Sequence, residues 1–567
     1  MKMKLKLALL GVAAMLVLAA TNASAQTAIA GSSALYLEMG QAAGSNAAIG
    51  GCVWDTTAKD FTLHDSRFTE AVSDTAAAWI SWIPSTPGNC STVTAGSEII
   101  YLSTDSTVGN RCFFASPRCT VVVNTTPPTT SASTLSPVTE SSLPSAVLTA
   151  VTGIPIGIAA TDIRPEDAKF ATIRALTGCG TPVTAGSQYL GLGYSSGQSI
   201  SGSTTIISAG TGGGFNVGNF NLMGTDPYTS AALPGNFVVT SVAAVPVVVF
   251  VNPQNTSGFG NIAISNVDRA TLAGYLDGTY GATGAMIPAG AAGTGTTVVI
   301  REPLSGTYNT MEYAIPNSVQ NQSSQDVGLA ALNANAAGTP FPPLNCTAVG
   351  GTPALSALNG ATGTANPLSE TVVRNSGITS NRARAIGTGS MVKAVLGTKD
   401  ALGYAFWSAS NFTNATAGNG KYLTVDGIDP IQETWSDGLI PTVSNDLLGN
   451  VSLSHVKDGT YPIWSILRLV SDPSNSALAT ALKNAAAAFL SPTQPDFVPL
   501  SQLAVIRSHF APPTVNFPSA GTNLPSNPNS ADGEAGGDVA GLVYTTLSDA
   551  LYSSDTGSTT GNTGHRQ

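Results

Sequence analysis

The sequence predicts an α/β protein whose two lobes face each other across a central cleft, with mixed sheets in the lobes. Three observations carry this. Short β-branched runs alternate with helix-type spacing along the informative parts of the chain. Several of those runs end in turns of glycine and small hydroxyl residues, a geometry that presents backbone N–H groups to an oxyanion. One such turn, Arg301-Glu302-Pro303-Leu304-Ser305-Gly306-Thr307, also carries a cation. It follows the β-branched run Thr297–Ile300 and runs into Tyr308, Met311, Glu312 and Ala314, which predict a helix start.

The elements follow in order. Lys2, Lys4 and Lys6 precede an apolar run from Leu7 to Ala20, and Ala23-Ser24-Ala25 completes a secretory signal peptide over 1–25. Thr27–Ala30 reads as a strand, Gly31-Ser32-Ser33 as a phosphate-style turn, and Ala34–Ala43 as a helix. Phe61, Phe68, Ala71, Ala76, Trp79 and Ile80 predict a helical segment within 51–95. Glu98–Leu102 is a strand that enters Ser103–Gly109, a third hydroxyl-rich turn. Residues 120–148 are rich in Thr, Ser and Pro and read as an insertion. Ile154–Ala160 is a strand ending in Thr161-Asp162, and 171–240 is a glycine-rich excursion with a β-hairpin or two.

Ser241–Val251 reads as a buried strand stopped by Asn252-Pro253, and it is too short to span a membrane. Asn266–Leu276 holds a short helix with Asn or Ser caps. Residues 315–372 are a second insertion. Met391–Leu396 is helical, Gly403–Trp407 and Ile463–Val470 are strands, and Leu423–Asp426 is a strand and turn. Asn475–Leu490 carries the clearest helical spacing, and 511–567 is a low-complexity tail. The domain reading is lobe I over 26–250, with insertions at 120–148 and 171–240. Lobe II covers 251–400, with its insertion at 315–372, and 401–510 returns to lobe I.

Composition narrows the function. Of 567 residues 60 are Gly and 34 Pro, only 10% are charged, and the net charge is −10. This argues against nucleic-acid binding, which draws its affinity from basic surfaces. Six cysteines in an exported chain predict disulfides, with fifteen possible pairings. Cys112–Cys119, Cys52–Cys90 and Cys179–Cys346 form one plausible set, with a metal site or free thiols as alternatives. No histidine stands near a loop motif, so neither a catalytic base nor a metal centre is predicted. Trp407, Trp435 and Trp464 read as core residues in preference to a sugar-stacking surface.

Taken together, Ala30–Ala34, Ala160-Thr161-Asp162, Val251-Asn252-Pro253, Leu272–Gly278, Arg301–Thr307, Gly387–Ser390, Leu402-Gly403-Tyr404 and the closing Gly459, Tyr461, Pro462 and Trp464 follow a known order. The chain resembles the periplasmic phosphate-binding proteins of the type 2 solute-binding superfamily, as a divergent relative with large insertions. The resemblance implies a two-lobed binding protein for phosphate or a related oxyanion, without cofactor or enzymatic activity. It implies a monomer in the periplasm or outside the cell, without stable membrane insertion, that delivers its ligand to a membrane ABC permease. It assigns ligand contacts to Ser32, Ser33, Ser106, Asp162, Arg301, Ser305, Gly306, Thr307 and Ser390. An alternative alignment moves the carboxylate motif to Gly224-Thr225-Asp226-Pro227. Pro303 stands where the family has a carboxylate, which implies weaker discrimination between phosphate and sulfate. A surface or structural protein that keeps the fold without transport is the second reading, and a phosphatase-like enzyme the third.

Overall fold

The computed structural model describes residues 26–45, 51–55, 78–123, 143–163, 165, 168, 214–217, 220–223, 237–254, 256, 258–260, 263–276, 296–301, 305–314, 369–373, 379–385, 387–435, 437–442, 445–489, 496–507 and 540–543. The main sheet contains β1 (Thr27–Gly31), β2 (Cys52–Asp55), β3 (Ala78–Trp82), β4 (Ile99–Ser103), β5 (Ile156–Thr161), β6 (Val238–Val251), β7 (Thr297–Arg301), β8 (Ser369–Val373), β9 (Thr379–Ala385), β10 (Ala401–Phe406) and β11 (Trp464–Ser471). The α-helices are α1 (Tyr36–Ser45), α2 (Ser106–Phe114), α3 (Ser145–Val151), α4 (Arg269–Leu276), α5 (Gly306–Ala314), α6 (Gly387–Gly397), α7 (Ser454–Lys457) and α8 (Ser476–Phe489).

The strand order is β8-β9-β7-β10-β6-β11-β5-β1-β4-β3-β2. Two parallel cores lie within it. In one, β1 sits between β4 and β5; in the other, β7 sits between β9 and β10. Antiparallel β6 and β11 separate them. The protein is therefore α/β with a large mixed sheet.

β6 connects the halves. Its residues Val238–Pro246 pair with β11, and Val247–Val251 pair with β10. Pro246 stands at the changeover, where a residue without an N–H removes one ladder donor and eases the exchange of partners. Val239–Val251 is buried throughout, as a strand covered on both faces requires. β10 lies in the second half beside β7, and the chain re-enters the first half at β11.

The helical segment expected within 51–95 is corrected. Its described parts are the antiparallel strands β2 and β3, and residues 56–77 lie outside the described residues. The run Ala78-Trp-Ile-Ser-Trp82 is wholly buried, and its aromatic and β-branched residues suit a pleated surface. Trp79 stacks on Tyr101 of the neighbouring strand, with ring centroids 5.4 Å apart. Cys52 bonds to Cys90 and ties β2 to the loop after β3, while Cys112 bonds to Cys119 after α2. Cys179 and Cys346 lie outside the described residues.

In the glycine-rich excursion, Gly214–Val217 and Phe220–Met223 form a hairpin that adds to Thr120–Val123 as a separate three-stranded sheet. α4 is capped by Asp268, whose carboxylate accepts from Thr271 N at 2.7 Å, in place of the expected Asn or Ser. The predicted tail falls outside the described residues apart from 540–543, a short strand against 505–507. Trp407 and Trp464 are buried in the core, and Trp435 packs edge-on against Tyr422. Among the described residues no helix is long and apolar enough to cross a membrane.

Every residue of α2 is buried, so its approach to the sheet is tight. A Cβ on Gly109 would lie 2.3 Å from Ala30 O and 2.7 Å from Gly31 Cα, both rigid backbone. Gly109→Ala is therefore expected to lower unfolding free energy by about 1–3 kcal/mol. Denaturant melts should show a lower midpoint with an unchanged slope; an unchanged midpoint would mean that α2 can lift off β1 freely.

Candidate functional site

Strands of a parallel core all end on one edge. At that edge the first half presents Ser32 and Ser33 after β1, Thr104–Ser106 after β4, and Asp162 after β5. The second half presents Arg301 at the end of β7, Ser305–Thr307 beyond it, and Thr388 after β9. Ligands of open α/β sheets sit at such carboxyl edges. Here the two edges meet.

The contacts across the junction are specific. The Arg301 guanidinium donates from Nη1 to Thr388 Oγ1 at 3.1 Å and to Thr307 Oγ1 at 3.4 Å. Its Nη2 donates to Asp105 Oδ1, on the opposite half, at 3.2 Å. The Arg301 backbone N–H donates to Tyr404 Oη at 3.1 Å, which anchors the residue to β10. Ser33 and Thr388 hydroxyls lie 3.1 Å apart, again across the junction. Ser32 Oγ donates to Asp162 Oδ1, and Asp162 N donates to Ser106 Oγ at 3.1 Å. Gly306 packs against this pair: a Cβ there would lie 2.3 Å from Asp162 Oδ2 and 2.4 Å from Ser106 Oγ. A side chain at 306 would thus push the halves apart.

Helix starts reinforce the arrangement. Ser106 and Gly306 are the first residues of α2 and α5, and Thr388 is the second of α6. Ser32 caps the 3-10 turn Ser33–Leu35, accepting from Ala34 N at 3.1 Å. Each start brings N–H groups that lack intrahelical acceptors, with the positive end of the helix dipole. The fully buried Thr107 hydroxyl, in the first turn of α2, has no hydrogen-bond partner among the described residues.

Most of the cluster is closed from water. Arg301, Ser106 and Ser305 are each 1% exposed and Asp162 is 3% exposed. Burial raises the Asp162 carboxyl to about 6, against hydrogen bonds from Ser32 and Ser106 and the charges of Arg301 and Arg468, which pull it down. Arg468, on β11 opposite Thr161, is buried as well, and its Nη1 donates to Ile466 O at 2.6 Å.

Of the residues expected from sequence, Ser32, Ser33, Ser106, Asp162, Arg301, Gly306 and Thr307 are brought together by these contacts. Ser305 plays a local part. Its hydroxyl accepts from Tyr308 N at 3.3 Å, capping α5, while its carbonyl accepts from Asn309 Nδ2 at 2.8 Å. Ser390 lies in the first turn of α6, but its side chain is outside the described residues. Residues 224–227, the alternative carboxylate motif, are outside them too. Thr388, Asp105 and Arg468 belong to the cluster and were not expected. Thr388 lies inside the Gly387–Ser390 turn, two residues before Ser390. Asp105 lies inside the Ser103–Gly109 turn, where the hydroxyls carry the anion-binding signature. Arg468 is the lone charge in the apolar run Trp464–Ser471, a signal in itself.

No family model matches this chain, and no curated protein matches it. Several solved structures show partial likeness, among them the following two. One is an ABC-type phosphate transport receptor from Vibrio cholerae, at 12% identity and a TM-score of 0.23, covering 45% of this chain and 71% of that one. The other is PstS from Borrelia burgdorferi, at 12% identity and a TM-score of 0.21, covering 45% of this chain and 70% of that one. At these scores the likeness carries no conclusion about the ligand.

The Asp162 carboxyl titrates higher in the folded than in the unfolded chain, from 3.8 to about 6. Between those values the folded protein holds more protons at this residue. Its contribution to stability is complete below the unfolded value and is lost as pH rises through the folded one. The stability of the parent relative to Asp162→Asn is therefore expected to fall by about 3 kcal/mol between roughly pH 3.5 and 7. Denaturant unfolding of both proteins across that range checks it; a difference that stays flat with pH would contradict the burial argument.

Proposed function

We propose that this chain is an extracytoplasmic solute-binding protein for a tetrahedral oxyanion, with phosphate as the first choice. The observation that carries the reading is the buried Arg301 guanidinium at the meeting point of two parallel-strand edges. Around it stand hydroxyls and the starts of α2, α5 and α6, a donor-rich setting for an anion. In this reading the halves on either side of β6 are the two lobes, and they part and close around the solute. The sequence pattern of export and two disulfides fit a protein outside the cytoplasm. Delivery to a membrane ABC permease follows from the family resemblance, as do monomeric state and the lack of enzymatic activity.

A second reading has an observation of its own. Groups of the cluster already pair with one another, Arg301 with Asp105, Ser33 with Thr388 and Ser32 with Asp162. On that reading the cluster is a structural latch between halves in a protein that retains the fold without transport.

Calorimetric titration separates the two. Inorganic phosphate is expected to bind the parent at a single saturable site. Arg301→Lys keeps the charge but loses the planar fork, and is expected to weaken binding about tenfold or more. Lysine is the better probe than alanine, because removing the charge would take away the Arg301 partner of the buried Asp105 and destabilise the fold. A folded parent that binds neither phosphate nor sulfate would leave the latch reading standing.

A further inference from the structure

We infer that Tyr101, seconded by Trp79, is a positioning residue of the site: the two side chains donate to backbone carbonyls at either end of the Ser32–Tyr36 turn and so aim Ser32 at Asp162. As an effect on ligand affinity this rests on the reading of the cluster as an anion site; as an effect on Asp162 it does not.

The turn starts sharply. Gly31 ends β1 at φ 136°, and a Cβ there would lie 1.9 Å from Ala160 O, so no other residue fits. The backbone is then tied to both neighbouring strands. Ser32 N donates to Ala160 O on β5 at 2.8 Å, and Gly31 O accepts from Thr104 N, just after β4, at 2.8 Å. The next carbonyls are held by side chains. Tyr101 Oη, from β4, donates to Ser32 O. Trp79 Nε1, from β3, donates to Tyr36 O at 2.9 Å. Tyr101 and Trp79 are wholly buried and stack on each other, and Tyr36 lies edge-on to Tyr101 with ring centroids 5.9 Å apart. The three rings form one packed unit against the turn.

What this clamp fixes is the Ser32 hydroxyl. It accepts from Ala34 N at 3.1 Å and donates to Asp162, so both of its roles depend on where its own backbone lies. A tilt of the Ser32 peptide would carry Oγ away from the carboxylate. That bond is one of the interactions that pull the Asp162 carboxyl down against burial. Burial, with Asp162 and Glu38 close by, holds the Tyr101 phenol well above its usual value, so it stays protonated and remains a donor. The second half has a counterpart. Tyr404, on β10 beside β7, accepts from Arg301 N at 3.1 Å. In each half a tyrosine on the adjacent strand thus holds the backbone of a residue at the junction.

The test is Tyr101→Phe, which keeps the ring and removes only the donor. In the ligand-free protein, carboxyl NMR is expected to show Asp162 titrating at a higher pH than the parent's value of about 6, with the Arg301 and Arg468 charges that face it left in place. In a Ser32→Ala background, Tyr101→Phe is expected to leave the Asp162 titration where Ser32→Ala alone puts it. Tyr461→Phe removes an equally buried donor, to Val247 O, and is expected to lower stability without moving Asp162. Calorimetry with inorganic phosphate is expected to show binding about three- to tenfold weaker in Tyr101→Phe. Trp79→Phe removes the second donor and is expected to move both readouts in the same direction, an arm that holds even if Tyr101→Phe does not fold. An Asp162 titration unmoved in the folded variants, or moved by Tyr101→Phe as far with Ser32→Ala as without it, overturns the positioning role whether or not phosphate binds. A moved titration with unchanged phosphate affinity overturns its bearing on the ligand. A parent that binds neither phosphate nor sulfate overturns the anion reading alone, and the hold on Asp162 stands.

Discussion

The structure depends on one strand that serves both halves of the main sheet. β6 gives its first nine residues to β11 and its last five to β10. Each parallel core hangs on a different end of that strand, so the edges of the cores are brought to a common junction. Burial on both faces explains the near-continuous valine and alanine of Val242–Val251, and each buried valine contributes about 1.5–3 kcal/mol. A slip of one residue would turn the whole set to the other face and move every edge loop with it. The positions of Ser32, Asp162 and Arg301 thus derive from a register set far from them in sequence.

Burying charge at that junction requires compensation. An isolated guanidinium in the interior is untenable, and Arg301 has a carboxylate and two threonine hydroxyls around it. The compensation comes from both halves: Thr307 and Thr388 from one, Asp105 from the other. The same interaction that makes the cation tolerable also joins the halves. Close packing then does the rest, because only a glycine at 306 lets α5 approach Asp162 and Ser106 so nearly.

The parts of this arrangement that were legible in the sequence are those with a local signature. Thr297–Ile300 is β-branched, its turn is made of small hydroxyl residues, and Arg301 stands between them, so strand, turn and helix start could be read together. The same holds for Gly31-Ser32-Ser33 and Thr161-Asp162. The 51–95 region misled because short apolar runs such as Ala78–Trp82 have no decisive period, and the strand there is specified by pairing with β2 and β4. Asp105 was invisible for a related reason. Nothing within its own turn distinguishes a capping aspartate from one that reaches a partner 196 residues away. Arg468 illustrates the converse: a charge in an otherwise apolar strand signals a buried partner, but the sequence does not say which one.

Charge balance limits what such a junction accepts. Arg301 and Arg468 supply two positive charges, and Asp105 and Asp162 supply two carboxylates. The helix starts of α2, α5 and α6 add partial positive charge without adding a counter-ion. These groups leave the cluster close to neutral and rich in donors, but edged with acceptors on the side of β4 and β5. Donors there serve the oxygens of any tetrahedral anion alike. Only the acceptors distinguish between anions, because they reward a ligand hydrogen and oppose a bare oxygen. In the proposed anion-site reading, affinity would rest with the second half, which holds Arg301, Thr307 and Thr388. The first half contributes the carboxylates Asp105 and Asp162, so acceptors stand on one side of the junction and the Arg301 cation on the other. The two are joined only because β6 keeps both edges in contact.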